Sequence, residues 1–96
     1  MKTITEKEFK DLINSTLVIQ FSATWCGPCK TLTKTIDDNK EKFNQEIYKM
    51  DLESNRELAT ALQIRSVPTL IRFENKQEIK RLIGNQTLEQ LVELTV

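Results

Sequence analysis

Histidine is absent from this 96-residue chain, and cysteine occurs only twice. A zinc site needs four ligands as a rule, so only a dimer sharing two cysteine pairs could supply one from these residue types. No metal is therefore expected. Neither sign of charge is in excess: Lys plus Arg and Asp plus Glu both number 14, interspersed along the chain. A nucleic acid or an anionic membrane normally demands a basic face, so neither is an expected partner. No apolar run approaches the roughly 20 residues that cross a bilayer. The N-terminal stretch from Met1 to Glu8 turns acidic and polar at once, unlike a secretory signal. Repeats, low-complexity tracts and linkers are missing too. Residues 1–96 leave room for one core, so a single domain is expected. Two cysteines without an export signal point to the reducing cytoplasm and to a working thiol pair.

What the chain does have is Trp25-Cys26-Gly27-Pro28-Cys29, directly after the apolar run Leu17-Val18-Ile19-Gln20-Phe21. An apolar run followed by Gly and Pro reads as a buried strand feeding a helix start. Cys26 then lies at the first turn, where unpaired N–H groups and the helix dipole stabilise a thiolate. It is expected to titrate below the free-thiol value of about 8.5, and Cys29, one turn further in and facing the sheet, above it. One thiol is placed to attack and the other to resolve. A structural disulfide is the plain alternative, but so short a loop stabilises by only about 2 kcal/mol and seldom persists in a reducing compartment.

Capping boxes are expected at Thr5 with Glu8, Ser54 with Glu57, and Thr87 with Gln90, each ahead of apolar residues at helical spacing. Cys29, Leu32, Ile36 and Phe43 predict a longer helix to about residue 42. Strands are expected over Leu17 to Phe21, Ile47 to Met50, Leu70 to Phe73 and Glu78 to Leu82, and weakly over Lys2 to Ile4. Asn75-Lys76 reads as a short hairpin turn, although Lys is poorer than Gly there. Alternating strands and helices, then a hairpin and a last helix, describe an α/β sandwich with a mixed sheet.

With motif and order both in hand, the chain resembles the thioredoxin family over nearly its whole length. Phe21 to Lys30 is similar to that family's active-site segment, Val67-Pro68-Thr69 to its cis-proline loop, and Ile83-Gly84-Asn85 to the turn before its final helix. The resemblance implies a thioredoxin fold, with about five strands in a central mixed sheet and four flanking helices. Family members usually carry a buried Asp where this chain has Gln20, a Trp where it has Ser22, and a helix-kinking Pro where it has Lys34.

The resemblance also implies a cis bond before Pro68, with the Val67 backbone free to pair with an extended substrate. Trp25, whose ordinary role would be core packing, is expected instead in a flat apolar rim with Gly27, Pro28, Val67 and Gly84 that binds protein substrates. Gln20 and Lys49 interrupt apolar strands, and neighbouring strands bring both beneath the cysteines, at the carboxyl edge where α/β sheets gather their sites. They are candidates for tuning the thiols. Their plainer readings are a hydrogen-bonded core amide and a lysine reaching out to water.

The expected function is a thiol-disulfide oxidoreductase, chiefly a dithiol reductant of protein disulfides, with Cys26 attacking and Cys29 resolving. No histidine lies between the thiols to favour the thiolate strongly, so the couple is reducing, and reductase ranks above isomerase or oxidase. No bound cofactor is needed. An NADPH-dependent flavoprotein reductase, as the family resemblance implies, would restore the dithiol of a monomeric protein. The alternative is a binding module, a chaperone surface or rigid subunit, with redox chemistry incidental.

Overall fold

The computed structural model describes residues 1–96 throughout. In chain order the elements are α1 (Glu6–Leu12), β1 (Leu17–Ser22), α2 (Gly27–Asp38), β2 (Ile47–Asp51), α3 (Arg56–Ala61), β3 (Thr69–Glu74), β4 (Gln77–Ile83) and α4 (Leu88–Leu94). Two of the three expected capping boxes form. Thr5 caps α1 and Thr87 caps α4, and the side chains of Glu8 and Gln90 reach back to complete them. Each box satisfies N–H groups that a helix start leaves unpaired. The third box does not form, because Ser54 is already engaged. Its N–H and hydroxyl both donate to Asp51 Oδ2, at 2.9 and 2.8 Å. Charge-assisted bonds of this kind are the stronger ones, and α3 starts after Asn55 without a side-chain cap. Thr87→Ala is expected to cost about 1 kcal/mol in a urea melt. An unchanged midpoint would mean that the α4 cap contributes nothing.

The sheet has four strands in the order β2-β1-β3-β4, parallel between β1 and β2 and antiparallel elsewhere. The mixed sheet between two layers of helices is as expected, but the count of about five strands is one too high. Lys2 to Ile4 contributes only an isolated bridge between Thr3 and Lys49. The segment is too short to become a strand, since Thr5 already caps the next helix. Similarly, α2 stops at Asp38 rather than near residue 42. Asn39 leaves helical geometry at φ −129° and donates its amide to Thr35 O at 2.7 Å, and a 3-10 turn carries the chain over Lys40–Lys42.

β1 is buried at all six positions, as a central strand covered on both faces must be. Its alternation divides the core. Leu17, Ile19 and Phe21 pack with Phe9 of α1, Ala59 of α3 and Phe73, while Val18 packs with Leu32 and Ile36 of α2 and Leu91 and Leu94 of α4. Phe9 and Phe73 meet edge to face with ring centroids 5.3 Å apart. Helices therefore lie in pairs on the two faces. The Asn75-Lys76 turn forms with both residues at positive φ, 51° and 70°. The Lys76 N–H donates to Ile13 O at 2.8 Å, which anchors a turn that lacks the favoured glycine. No helix is long and apolar enough to cross a membrane.

Candidate active site

Cys26 ends the loop that leaves β1, and Cys29 lies in the first turn of α2. Cys26 is the N-cap of α2, with extended backbone at φ −89° and ψ 105°. Its Sγ accepts the backbone N–H of Cys29 at 3.1 Å. Pro28 sits in the first turn, where a missing N–H costs nothing, and no acidic residue of that turn opposes a negative charge on sulfur. The two cysteines are joined as a disulfide with their Cα atoms 5.3 Å apart. The start of the helix thus holds the two sulfurs within bonding reach of each other.

The register gathers the remaining pieces at one sheet edge. Phe21 pairs with Thr69 and Thr69 with Ile83, so the end of β1, the start of β3 and the end of β4 are neighbours. Val67 packs against Ala23, Cys26 and Cys29. The Val67–Pro68 bond is cis. Neither the N–H nor the C=O of Val67 forms a backbone hydrogen bond within the chain. Gly84, at φ +85°, donates its N–H to Pro68 O at 2.9 Å, and this tie needs a residue that tolerates left-handed backbone. A Cβ would meet nothing within 4 Å at either glycine, but Gly27 has no positive φ, so its glycine leaves the surface flat and answers no steric or backbone demand.

Trp25 is 69% exposed, so it is not a core residue. Gly27 and Pro28 are exposed beside it in the chain, and Pro28 also lines a shallow groove with Thr31, Thr35, Asn85 and Gln86. The exposure of the site belongs to this surround. Cys26 itself is only 4% exposed, against 2% for Cys29, because Ala23, Cys29 and Val67 close around it. Helix position and hydrogen bonding, not accessibility, distinguish the two sulfurs.

Gln20 and Lys49 are paired across β1 and β2, which puts them on the face covered by α2. Gln20 is fully buried. Its Nε2 donates to Cys29 O at 3.3 Å and to Thr33 Oγ1 at 3.2 Å. Lys49 is half-buried and lines an open cleft of about 700 Å³ with Cys29, Lys30, Thr33 and Asp51. Thr33 and Asp51 are site neighbours that the sequence reading passed over. Thr33 follows Cys29 by four residues, and that helical spacing was its available signal. No group of three or more metal-ligating side chains gathers anywhere in the chain.

Residues 1–95 match the thioredoxin family. Thioredoxin of Staphylococcus saprophyticus is 32% identical over 94 residues, covering 95% of this chain and 90% of that protein. A bifunctional thioredoxin reductase/thioredoxin of Mycobacterium leprae is 38% identical over 80 residues, 79% of this chain but only 18% of the larger protein. Among solved structures, Plasmodium falciparum thioredoxin superposes with a TM-score of 0.85 at 29% identity, covering 97% of both chains. A point mutant of Halobacterium salinarum thioredoxin gives the same score at 28% identity, covering 98% of this chain and 88% of its own.

Proposed function

Because the chain belongs to the thioredoxin family and is a thiol-disulfide oxidoreductase of the disulfide-reductase type, we propose the following division of labour within it. The Cys26 thiolate attacks one sulfur of a protein disulfide, forming a mixed disulfide, and the electron pair of the broken bond leaves on the other substrate sulfur. Cys29, having lost its proton to solvent, then attacks Cys26. The Cys26–Cys29 bond forms, the second substrate sulfur leaves, and protonation yields a dithiol substrate. The substrate is reduced by two electrons and the protein is oxidised by two.

One observation carries the assignment: Cys26 Sγ, at the N-cap of α2, accepts the Cys29 N–H. A hydrogen bond to an anion is stronger than one to a neutral group, so this bond and the helix dipole favour thiolate on Cys26. Trp25, Gly27, Pro28, Val67 and Gly84 form the binding surface, and Pro68, itself buried, supports it by fixing the Val67 backbone. The unpaired backbone of Val67 supports pairing with an extended substrate segment, and the exposed Trp25 supports an apolar rim that accepts many partners. Lys49 adjusts the charge around the thiols from the cleft that Cys29 also lines.

The dithiol is regenerated by an NADPH-dependent flavoprotein thioredoxin reductase. A relative in which thioredoxin reductase and thioredoxin share one chain supports that pairing. The thioredoxin-type domain matched over residues 1–95 acts as a monomer in the cytoplasm. Brief alkylation of the reduced protein with iodoacetamide near neutral pH should label Cys26 several-fold ahead of Cys29, as read by peptide mass spectrometry. Preferential labelling of Cys29 would reverse the two roles.

A further inference from the structure

Gln20 is a fully buried amide between Ile19 and Phe21 of β1, and a buried amide is costly unless its polar atoms are paired. Its partners all belong to one turn of α2. Nε2 lies 3.3 Å from Cys29 O and 3.2 Å from Thr33 Oγ1, and the Thr33 hydroxyl is 3.4 Å from Oε1. The strand amide therefore grips the helix at both ends of the turn that carries Cys29. None of these bonds involves Cys26, whose sulfur is held from the other side by the Cys29 N–H.

We propose that Gln20 and Thr33 form a neutral clamp that positions Cys29 for the resolving step, with Thr33 as a positioning residue not otherwise assigned. The inference rests on the reading of Cys26 as attacking and Cys29 as resolving. In resolution the Cys29 sulfur must reach the Cys26 sulfur in line with the leaving substrate sulfur, and small misplacements of reacting atoms slow such steps. With the carbonyl of Cys29 and the hydroxyl of Thr33 both fixed to β1, the backbone of that turn is pinned. Only the Cys29 side chain has to move. The clamp takes up no proton, because an amide and a hydroxyl have no basic site at neutral pH. The Cys29 proton departs to solvent through the cleft that Cys29 and Thr33 line together. Removing the Thr33 hydroxyl leaves Gln20 short of a partner and loosens the turn under Cys29, while the N-cap geometry of Cys26 persists.

Single-turnover oxidation of the reduced full chain by the chromogenic disulfide dithiobis(nitrobenzoate) separates the two steps. One nitrothiobenzoate leaves when Cys26 attacks, and a second leaves when Cys29 resolves. Thr33→Val keeps the side-chain shape and removes the hydroxyl. Its first phase should match wild type and its second should be about fivefold slower, the scale of one hydrogen bond. Thr33→Ser should restore the second phase. Gln20→Met, which keeps the volume and removes the amide, should slow the same phase, so the result does not hang on one variant. An unchanged second phase, equal slowing of both phases, or a Thr33→Ser variant as slow as Thr33→Val would each overturn the clamp. A wild-type protein that releases only one nitrothiobenzoate would overturn the assignment of Cys29, and the clamp with it.

Discussion

Cys26→Ser is expected to reduce insulin no faster than dithiothreitol does alone. The substitution removes the attacking sulfur and little else. Serine is among the preferred N-cap residues, and its hydroxyl is able to accept the N–H of Cys29 that now reaches Cys26 Sγ at 3.1 Å. The start of α2 therefore survives, and lost turbidity cannot be ascribed to a lost helix. Cys29 does not substitute as nucleophile. It lies one turn inside the helix, on the side that Gln20 holds, without the N-cap position and the N–H bond that favour thiolate on Cys26. A variant as active as wild type would mean that the cysteine pair is incidental and that the fold serves as a binding surface.

The second large effect lies at Gln20. Gln20→Asp should lose stability as pH rises, and should resolve mixed disulfides faster only where the new carboxylate is ionised, because the substitution also removes the Nε2 bond to Cys29 O. A carboxylate at this position would take up the Cys29 proton, which the amide does not do. The same carboxylate would be fully buried, where desolvation raises its pKa in the folded state above the unfolded value near 3.9. Below that unfolded value the group is protonated in both states and adds no pH-dependent penalty. As pH climbs, the unfolded chain gives up its proton first, and the variant weakens until the raised folded pKa is passed. Between pH 5 and pH 9 the loss relative to wild type should reach about 2–4 kcal/mol, measured by urea melts. Lys49, paired with residue 20 across the sheet, keeps the loss below that of an isolated buried charge. Equal stability at both pH values and an unchanged resolution rate would reduce Gln20 to a core residue.

The dividing line between what the sequence revealed and what it hid is physical. The cysteine motif was legible because Gly27, Pro28 and the apolar run before them are strong local signals. The neighbourhood of Gln20 and Lys49 was legible too, since a parallel pair of strands aligns two polar interruptions at similar depth. Competition between local hydrogen bonds was not. Ser54 matches a capping box by spacing, yet Asp51 upstream takes both its N–H and its hydroxyl. Asn39 looks like one more polar helix residue, and only its bond to Thr35 O shows why α2 stops there. The weak first strand failed because the cap at Thr5 claims the chain before a second ladder bond pair forms. The burial of Cys26 was hidden for a related reason: Val67, which helps to cover it, comes from a distant loop. Thr33 went unnoticed because a threonine on a helix face is ordinary until the strand opposite is seen to offer a buried amide.

Trapping the mixed disulfide shows whether Cys26 attacks and Cys29 resolves. Cys29→Ser leaves the attacking sulfur in place and removes the thiol that would release the substrate. The reduced variant, mixed with oxidised insulin and quenched with acid, should accumulate a covalent adduct that dithiothreitol reverses. Peptide mass spectrometry should find that adduct on Cys26, while the wild-type protein accumulates almost none. Failure of the Cys29→Ser variant to accumulate any adduct, or stable trapping through Cys29 in a Cys26→Ser variant instead, would mean that Cys26 is not the attacking residue.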